Sequence, residues 1–441
     1  MKVLLIQPPH VFEGGSREPD CFPLGLGYIG KALLDAGHKV EVLNVWQHQM
    51  NNYEVLEELD KRSFDVVGIT ALSSQYKYVK WFASVLKEKS SAKIVLGGAL
   101  ATFNSSLVLD KTDVDYCVCG EGEGKIVDVL SKPLPDIKAS YQGYPLKLDG
   151  LGFPAWHLFD MTFYTKPRWY YGKFVRPMNV ISSRGCPWNC NFCSKVIDSP
   201  RLRSVSNIVE EIKNLQFVYG VDFIKFDDEL VMVSKERMHK LCDALEPLHI
   251  HWACNGRVNI VDKEILVAMK DAGCLAIGYG VESGSQKILD AMNKQTSVAQ
   301  NKTAILETLN AGIHPIVYMM FGYPSESHET LDETVAFFKD IPFVGERIYM
   351  ATTTALPGSR LYTDEVIPEL EEEYLEKLTG GYLRFGGKRL LNFTHFPASQ
   401  FDALREETEN RIFRTQVWNH PFTFLKVMVK RVWNKLRRKL K

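Results

Sequence analysis

The richest chemistry in the chain lies in Arg184-Gly185-Cys186-Pro187-Trp188-Asn189-Cys190-Asn191-Phe192-Cys193, a Cys-x-x-x-Cys-x-x-Cys run. It holds three of the nine cysteines, and Cys21, Cys117, Cys119, Cys242, Cys254 and Cys274 are scattered. In a reducing compartment such thiols serve metal or redox chemistry before disulfides. Structural zinc takes four ligands, and no fourth Cys or His follows closely. Three thiolates instead suit a [4Fe–4S] cluster in which one iron keeps a position free for another molecule. Cys186, Cys190 and Cys193 are therefore the candidate metal ligands.

The elements that must position this loop can be read from pattern. The 441 residues allow about three structural units. Lys plus Arg and Asp plus Glu both number 53, and this balance argues against a nucleic-acid binder. No apolar run reaches the roughly 18 residues of a membrane span, and Met1-Lys2 leads into a strand rather than a signal peptide. The expectation is a soluble, cytoplasmic protein.

Residues 1–135 alternate apolar strands (Val3 to Ile6, Val40 to Val45, Val66 to Thr70, Ile94 to Leu96, Tyr116 to Val118) with helices at Leu24 to Ala36, 75–89 and 103–110. Five such strands imply an α/β fold, a doubly wound, Rossmann-like parallel sheet. Residues 136–175, rich in proline and aromatics, read as a linker packed across that domain. Six further strand–helix units over 176–362 imply a (βα)6 partial barrel with its chemistry at the carboxyl ends of the strands. Residues 363–441 read as a helical segment. Its acidic stretch, from Asp364 to Glu376, reads as a solvated helix face, and it ends in a basic amphipathic tail from Phe424 to Lys441.

The cysteine spacing, with Phe192 before the last cysteine, resembles the radical S-adenosylmethionine superfamily. The resemblance covers about residues 176–360. It implies that the open iron chelates S-adenosylmethionine, which is cleaved reductively to a 5′-deoxyadenosyl radical. It also implies roles at successive strand ends. Asp227, Asp228 and Glu229 would grip the cofactor's ammonium, although the commoner Gly-Gly-Glu version is absent. Arg257 would pair with its carboxylate, Glu282 and Ser283 would face the ribose, and Gly322 would let backbone approach adenine.

The first domain resembles the cobalamin-binding domain of one subclass of that superfamily. Thr70, Ser73 and Ser74 follow one strand, Gly97 and Gly98 the next, and Glu121 and Gly122 another, at the crevice where open sheets bind ligands. A nicotinamide site is disfavoured, because Gln-Pro-Pro rather than a glycine fingerprint follows the first strand. The Asp-x-His-x-x-Gly signature for a lower axial histidine is absent. His10 lies in the right loop but outside that signature, so cobalamin is expected without a protein ligand to cobalt.

The two resemblances together imply methylation of an unactivated carbon on a small-molecule or lipid-linked substrate. Cyclase-type or rearrangement chemistry without net methyl transfer is the alternative, and a non-catalytic sensor a third reading. Methylthiotransferases carry an additional amino-terminal cysteine cluster that is not spaced that way here. A low-potential donor such as flavodoxin or ferredoxin is the implied redox partner. The basic tail suggests peripheral contact with anionic lipid.

Overall fold

The computed structural model describes residues 1–9, 21–197, 199–342, 348–366, 368–378, 392–425, 428 and 429. Two compact units emerge. One comprises Met1–Pro187, Cys193–Glu229 and Ala355–Tyr382, and the other Trp188–Phe192, Leu230–Thr354 and Leu383–Lys441. This division differs from the boundaries expected at 135, 175 and 362. The first two barrel strands count with the first unit.

In the first unit, β1 (Lys2–Gln7), β2 (Lys39–Asn44), β3 (Val66–Thr70), β4 (Lys93–Gly97), β5 (Tyr116–Cys119) and β6 (Ala139–Gln142) form a parallel sheet. Its order is β2-β1-β3-β4-β5-β6, so the winding reverses between β1 and β3. The four consecutive buried residues of β1, Val3 to Ile6, are what a strand covered on both faces requires. Helices α1 (Leu24–Asp35), α2 (Asn52–Asp60), α3 (Tyr76–Lys89), α4 (Ala99–Lys111) and α5 (Glu123–Leu130) connect the strands. Val3, Leu5, Leu33, Val66, Val95 and Tyr116 belong to the core that the sheet and helices enclose.

Three differences from the sequence reading have local causes. Helix α2 was not expected, yet Asn51 and Glu54 form a reciprocal capping box at its start. Helix α4 begins before the expected residue 103, because Gly98 at φ +85° turns the chain straight out of β4. The expected linker contributes β6, whose alternation of half-buried and exposed residues carries no apolar run to announce it. The remainder of that segment does pack on the first domain: Ala155 donates its N–H to Gly27 of α1 at 3.0 Å, and Phe159 meets Phe22 edge-on at 4.6 Å.

The barrel strands are β7 (Pro177–Val180) and β8 (Phe223–Phe226), paired in parallel in the first unit. In the second unit β9 (His251–Gly256), β10 (Cys274–Glu282), β11 (His314–Phe321) and β12 (Ile348–Thr352) pair successively in parallel. Helix α6 (Val205–Tyr219) lies between β7 and β8 in the chain. Helices α7 (Lys235–Leu245), α8 (Lys263–Asp271), α9 (Val298–Asn310) and α10 (His328–Phe337) follow the later strands. Ser234, Asp262, Ser297 and Ser327 cap α7 to α10 through their side chains, which is why the helix starts were legible.

Beyond the barrel the described helices include α11 (Glu371–Leu378) and α12 (Ala398–Asn419). The acidic stretch is not simply solvated. Glu371 accepts from Asn104 at 2.6 Å, and Lys80 of α3 bridges Glu372 at 2.7 Å and Glu376 at 3.0 Å. In the second unit α12 drives Phe401 against Phe321, ring centroids 4.9 Å apart. Among the described residues no helix is long and apolar enough to cross a membrane. His10 and most of the basic tail lie outside the described residues.

Candidate functional site

In the first unit a cavity of about 440 Å³ opens under the carboxyl edge of the sheet. Its depth is apolar, lined by Val3, Leu5, Val66, Val95, Val118 and Ile126. Its polar wall includes Thr70, Glu121, Glu123, Arg184, Asp227 and Glu229. Of the seven residues expected to hold cobalamin, Thr70, Gly97, Gly98, Glu121 and Gly122 line this space. Ser73 and Ser74 do not; they lie buried in a short 3-10 turn after β3. The Gly97 position is open, since a Cβ there would meet only two backbone oxygens near 4 Å. Gly98 is constrained instead, because a Cβ on it would lie 2.7 Å from the Ala71 carbonyl oxygen. An apolar slot with a polar mouth, at the reversal point of a doubly wound sheet, fits a nucleotide tail ending in an aromatic base.

The three carboxylates after β8 do different things. Asp228 is buried and takes hydrogen bonds from the Ser182 N–H, the Ser182 hydroxyl and the Ser183 hydroxyl at 2.5–2.9 Å. Burial raises its carboxyl to about 6 against the pull of those donors. Asp228 therefore anchors the strand leading to the cysteines, and, buried and outside the cavity lining, it is not placed for a direct grip on an ammonium. Asp227 accepts from Asn179 at 3.1 Å and pairs with Lys225 at 2.8 Å. Glu229 accepts the Gly185 N–H at 3.2 Å. Asp227 and Glu229 face the cavity, and these two fit a cationic group.

Arg184, not singled out from sequence as a site residue, donates from Nη1 to Glu121 at 2.9 Å and from Nη2 to Glu123 at 2.6 Å. Burial opposes its charge, and the two glutamates more than offset that opposition, holding the guanidinium protonated. Glu121 is thus committed to an ion network, with Arg201 as a further donor.

In the second unit the middle of the cysteine loop rests on the turn after β10. Asn191 bonds Met292 and Ala291 at 2.9 and 2.8 Å, and Asn293 donates to Asn189 at 2.7 Å. The Arg257 guanidinium lies 3.8 Å from the Trp188 ring centroid, with Nη1 at 4.0 Å from Cys190 Sγ and Nη2 bonded to the Lys294 carbonyl. Its Nε is buried without a partner among the described residues. Lys294 pairs with Glu282 at 2.7 Å and sits 5.4 Å from the Phe192 ring centroid. Glu282 takes up φ +65° where β10 loses register with β11, so its carboxylate is turned onto Lys294 rather than left free for a ribose. Lys294 is a residue that sequence reasoning missed, because the turn that delivers it runs through Asn293 and Gln295, both at positive φ.

Two other expectations change. The Ser283 hydroxyl is buried between Thr334 Oγ1 and the Ser285 N–H, at 3.2 and 3.1 Å, and serves packing. Gly322, at φ +90°, faces Phe401, whose ring would lie 2.5 Å from an added Cβ. Its glycine is explained by α12 rather than by adenine. Glu326 accepts the Gly322 N–H at 2.5 Å, and burial raises its carboxyl to about 7.

All three loop cysteines are free thiols, Cys186 and Cys190 half-buried and Cys193 exposed. The donor set suits an iron–sulfur cluster. Among the described residues no three ligating side chains converge as a metal site. Cys117 and Cys119 lie in fully buried β5, where burial pushes Cys117 up to about 12, so neither is a reactive thiolate.

Comparison with known proteins agrees with this reading. Residues 180–338 match the radical SAM superfamily, and residues 13–130 match the B12 binding domain. The chain is 29% identical over 390 residues to an uncharacterized methyltransferase of Pyrococcus horikoshii, covering 82% of each. It is 28% identical over 367 residues to the anaerobic magnesium-protoporphyrin IX monomethyl ester cyclase of Cereibacter sphaeroides, covering 76% of this chain and 59% of the cyclase. The fold is shared with the radical S-adenosylmethionine methyltransferase TsrM of Kitasatospora setae, at a TM-score of 0.62 and 17% identity, over 81% of this chain and 74% of that one. The chain therefore combines a B12-binding domain with a radical S-adenosylmethionine domain, a pairing whose cofactors are a [4Fe–4S] cluster, S-adenosylmethionine and cobalamin.

Proposed function

We propose that the protein methylates an unactivated carbon of a small-molecule or lipid-linked substrate. When bound, the cluster and S-adenosylmethionine supply hydrogen abstraction, and cobalamin carries a methyl group taken from a second S-adenosylmethionine. The observation that carries the reading is the 440 Å³ cavity, walled jointly by the cobalamin-type loops and by Arg184, Asp227 and Glu229. Cys186, Cys190 and Cys193 would hold the cluster. Asp227 and Glu229 would face the ammonium of S-adenosylmethionine, and the Arg257 Nε its carboxylate. Apolar walls exclude water from the cavity floor, which favours charge pairing at its mouth. A low-potential carrier such as flavodoxin or ferredoxin would deliver the electron.

Anaerobic reconstitution with a reductant tests this. Formation of both 5′-deoxyadenosine and S-adenosylhomocysteine, with Cys190→Ala forming no deoxyadenosine, supports methyl transfer. Deoxyadenosine alone favours cyclase-type chemistry, the activity named for the Cereibacter sphaeroides relative. Neither product favours a sensor. Contact with anionic lipid rests on exposed Trp418, Phe422 and Leu425, spaced four and three residues apart and leading into the basic tail. Sedimentation with phosphatidylglycerol vesicles should fall when residues 424–441 are removed.

A further inference from the structure

We infer that Arg184 is a positioning residue that couples cobalamin binding to cluster assembly, so that each cofactor tightens the other. The inference rests on the cofactor assignment above and goes beyond it. Arg184 ends a short strand, Ser183–Arg184, paired antiparallel with Arg201–Leu202, and stands two residues before Cys186. Its guanidinium forks between two carboxylates at the junction of β5 and α5, Glu121 at 2.9 Å and Glu123 at 2.6 Å. The three side chains are 14%, 9% and 8% exposed, so these are desolvated, charge-assisted bonds rather than surface pairs. Gly120, Glu121 and Gly122 form the loop between β5 and α5, Glu123 opens α5, and all four line the cavity.

The coupling passes onward through Gly185. At φ +89° only glycine fits there, since a Cβ would lie 2.6 Å from the Ser199 carbonyl oxygen. Its N–H is held by Glu229, another cavity residue. Arg201 adds a second cation on Glu121, so two arginines balance two glutamates. The guanidinium also covers the ring of Tyr28 from α1, 5.2 Å from its centroid. A ligand that fixes the β5–α5 loop must therefore fix the backbone entering Cys186, and a cluster on Cys186 must fix that loop. Apolar packing would serve stability as well as a buried ion pair. What the fork adds is a link between two segments. Linkage then demands that the two affinities change by the same factor.

The test is equilibrium dialysis of hydroxocobalamin against the full-length chain, prepared anaerobically with its cluster reconstituted and again after chelation. Wild type should bind at least tenfold more tightly with the cluster present. Arg184→Lys keeps the charge but cannot span both carboxylates. Its cluster-dependent ratio should fall below threefold, with the circular dichroism of the chain unchanged. Glu123→Gln, which weakens one arm without moving the backbone, should give an intermediate ratio. A wild-type ratio of one, or unchanged ratios in both variants, overturns the coupling while leaving the cofactor assignment standing. A wild-type chain that takes up neither iron nor hydroxocobalamin overturns both.

Discussion

Glu326 gives a prediction whose size follows from its surroundings. The carboxyl is buried in the turn after β11, with the Gly322 N–H as its hydrogen-bond donor and, among the described residues, no cation paired with it. Desolvation raises it from 4.5 to about 7, and the Gly322 bond only partly restrains that rise. The folded chain therefore holds a proton that the unfolded chain releases between pH 4.5 and 7. That stability is full below the unfolded value and is lost as pH rises through the folded one. Between pH 5 and pH 8 the loss is about 2–3 kcal/mol. Glu326→Gln keeps the shape and acceptor but cannot ionise, so it should lack this component. Urea unfolding of wild type and variant at both pH values measures it directly, because groups common to both proteins cancel in the difference. A wild-type-minus-variant stability that is the same at pH 5 and pH 8 would refute the argument that this carboxyl is held neutral.

Breaking the Glu282–Lys294 pair with Lys294→Met leaves a carboxylate buried on a residue at positive φ, which should cost about 3–5 kcal/mol. Adding Glu282→Gln should recover much of it, and additive losses in denaturation would show that the pair does not act as a unit. Phe401→Ala should cost about 3–5 kcal/mol through the void it leaves above Gly322. An unchanged unfolding midpoint would show that α12 does not hold that turn.

The sequence alone singled out the cysteine loop, because ligand chemistry is a matter of residue type and interval. It determined most strands and helices as well. Continuous apolar runs and capping side chains act within a few residues of themselves. Strand β6 escaped because an edge strand half in water needs no apolar run. The fate of the strand-end polar groups was decided elsewhere. Asp227, Asp228 and Glu229 are adjacent in the chain, yet one is buried against Ser182 and Ser183 while two face the cavity. Ser283 and Gly322 matched a pattern but answer to Thr334 and Phe401, which lie far along the sequence. Arg184 and Lys294 carried no signal, since a charge's partner is set by which loops the sheet brings together. Local free energy is written in intervals between neighbours. Desolvation and ion pairing depend on what the folded chain places around a group, and only the tertiary structure supplies that.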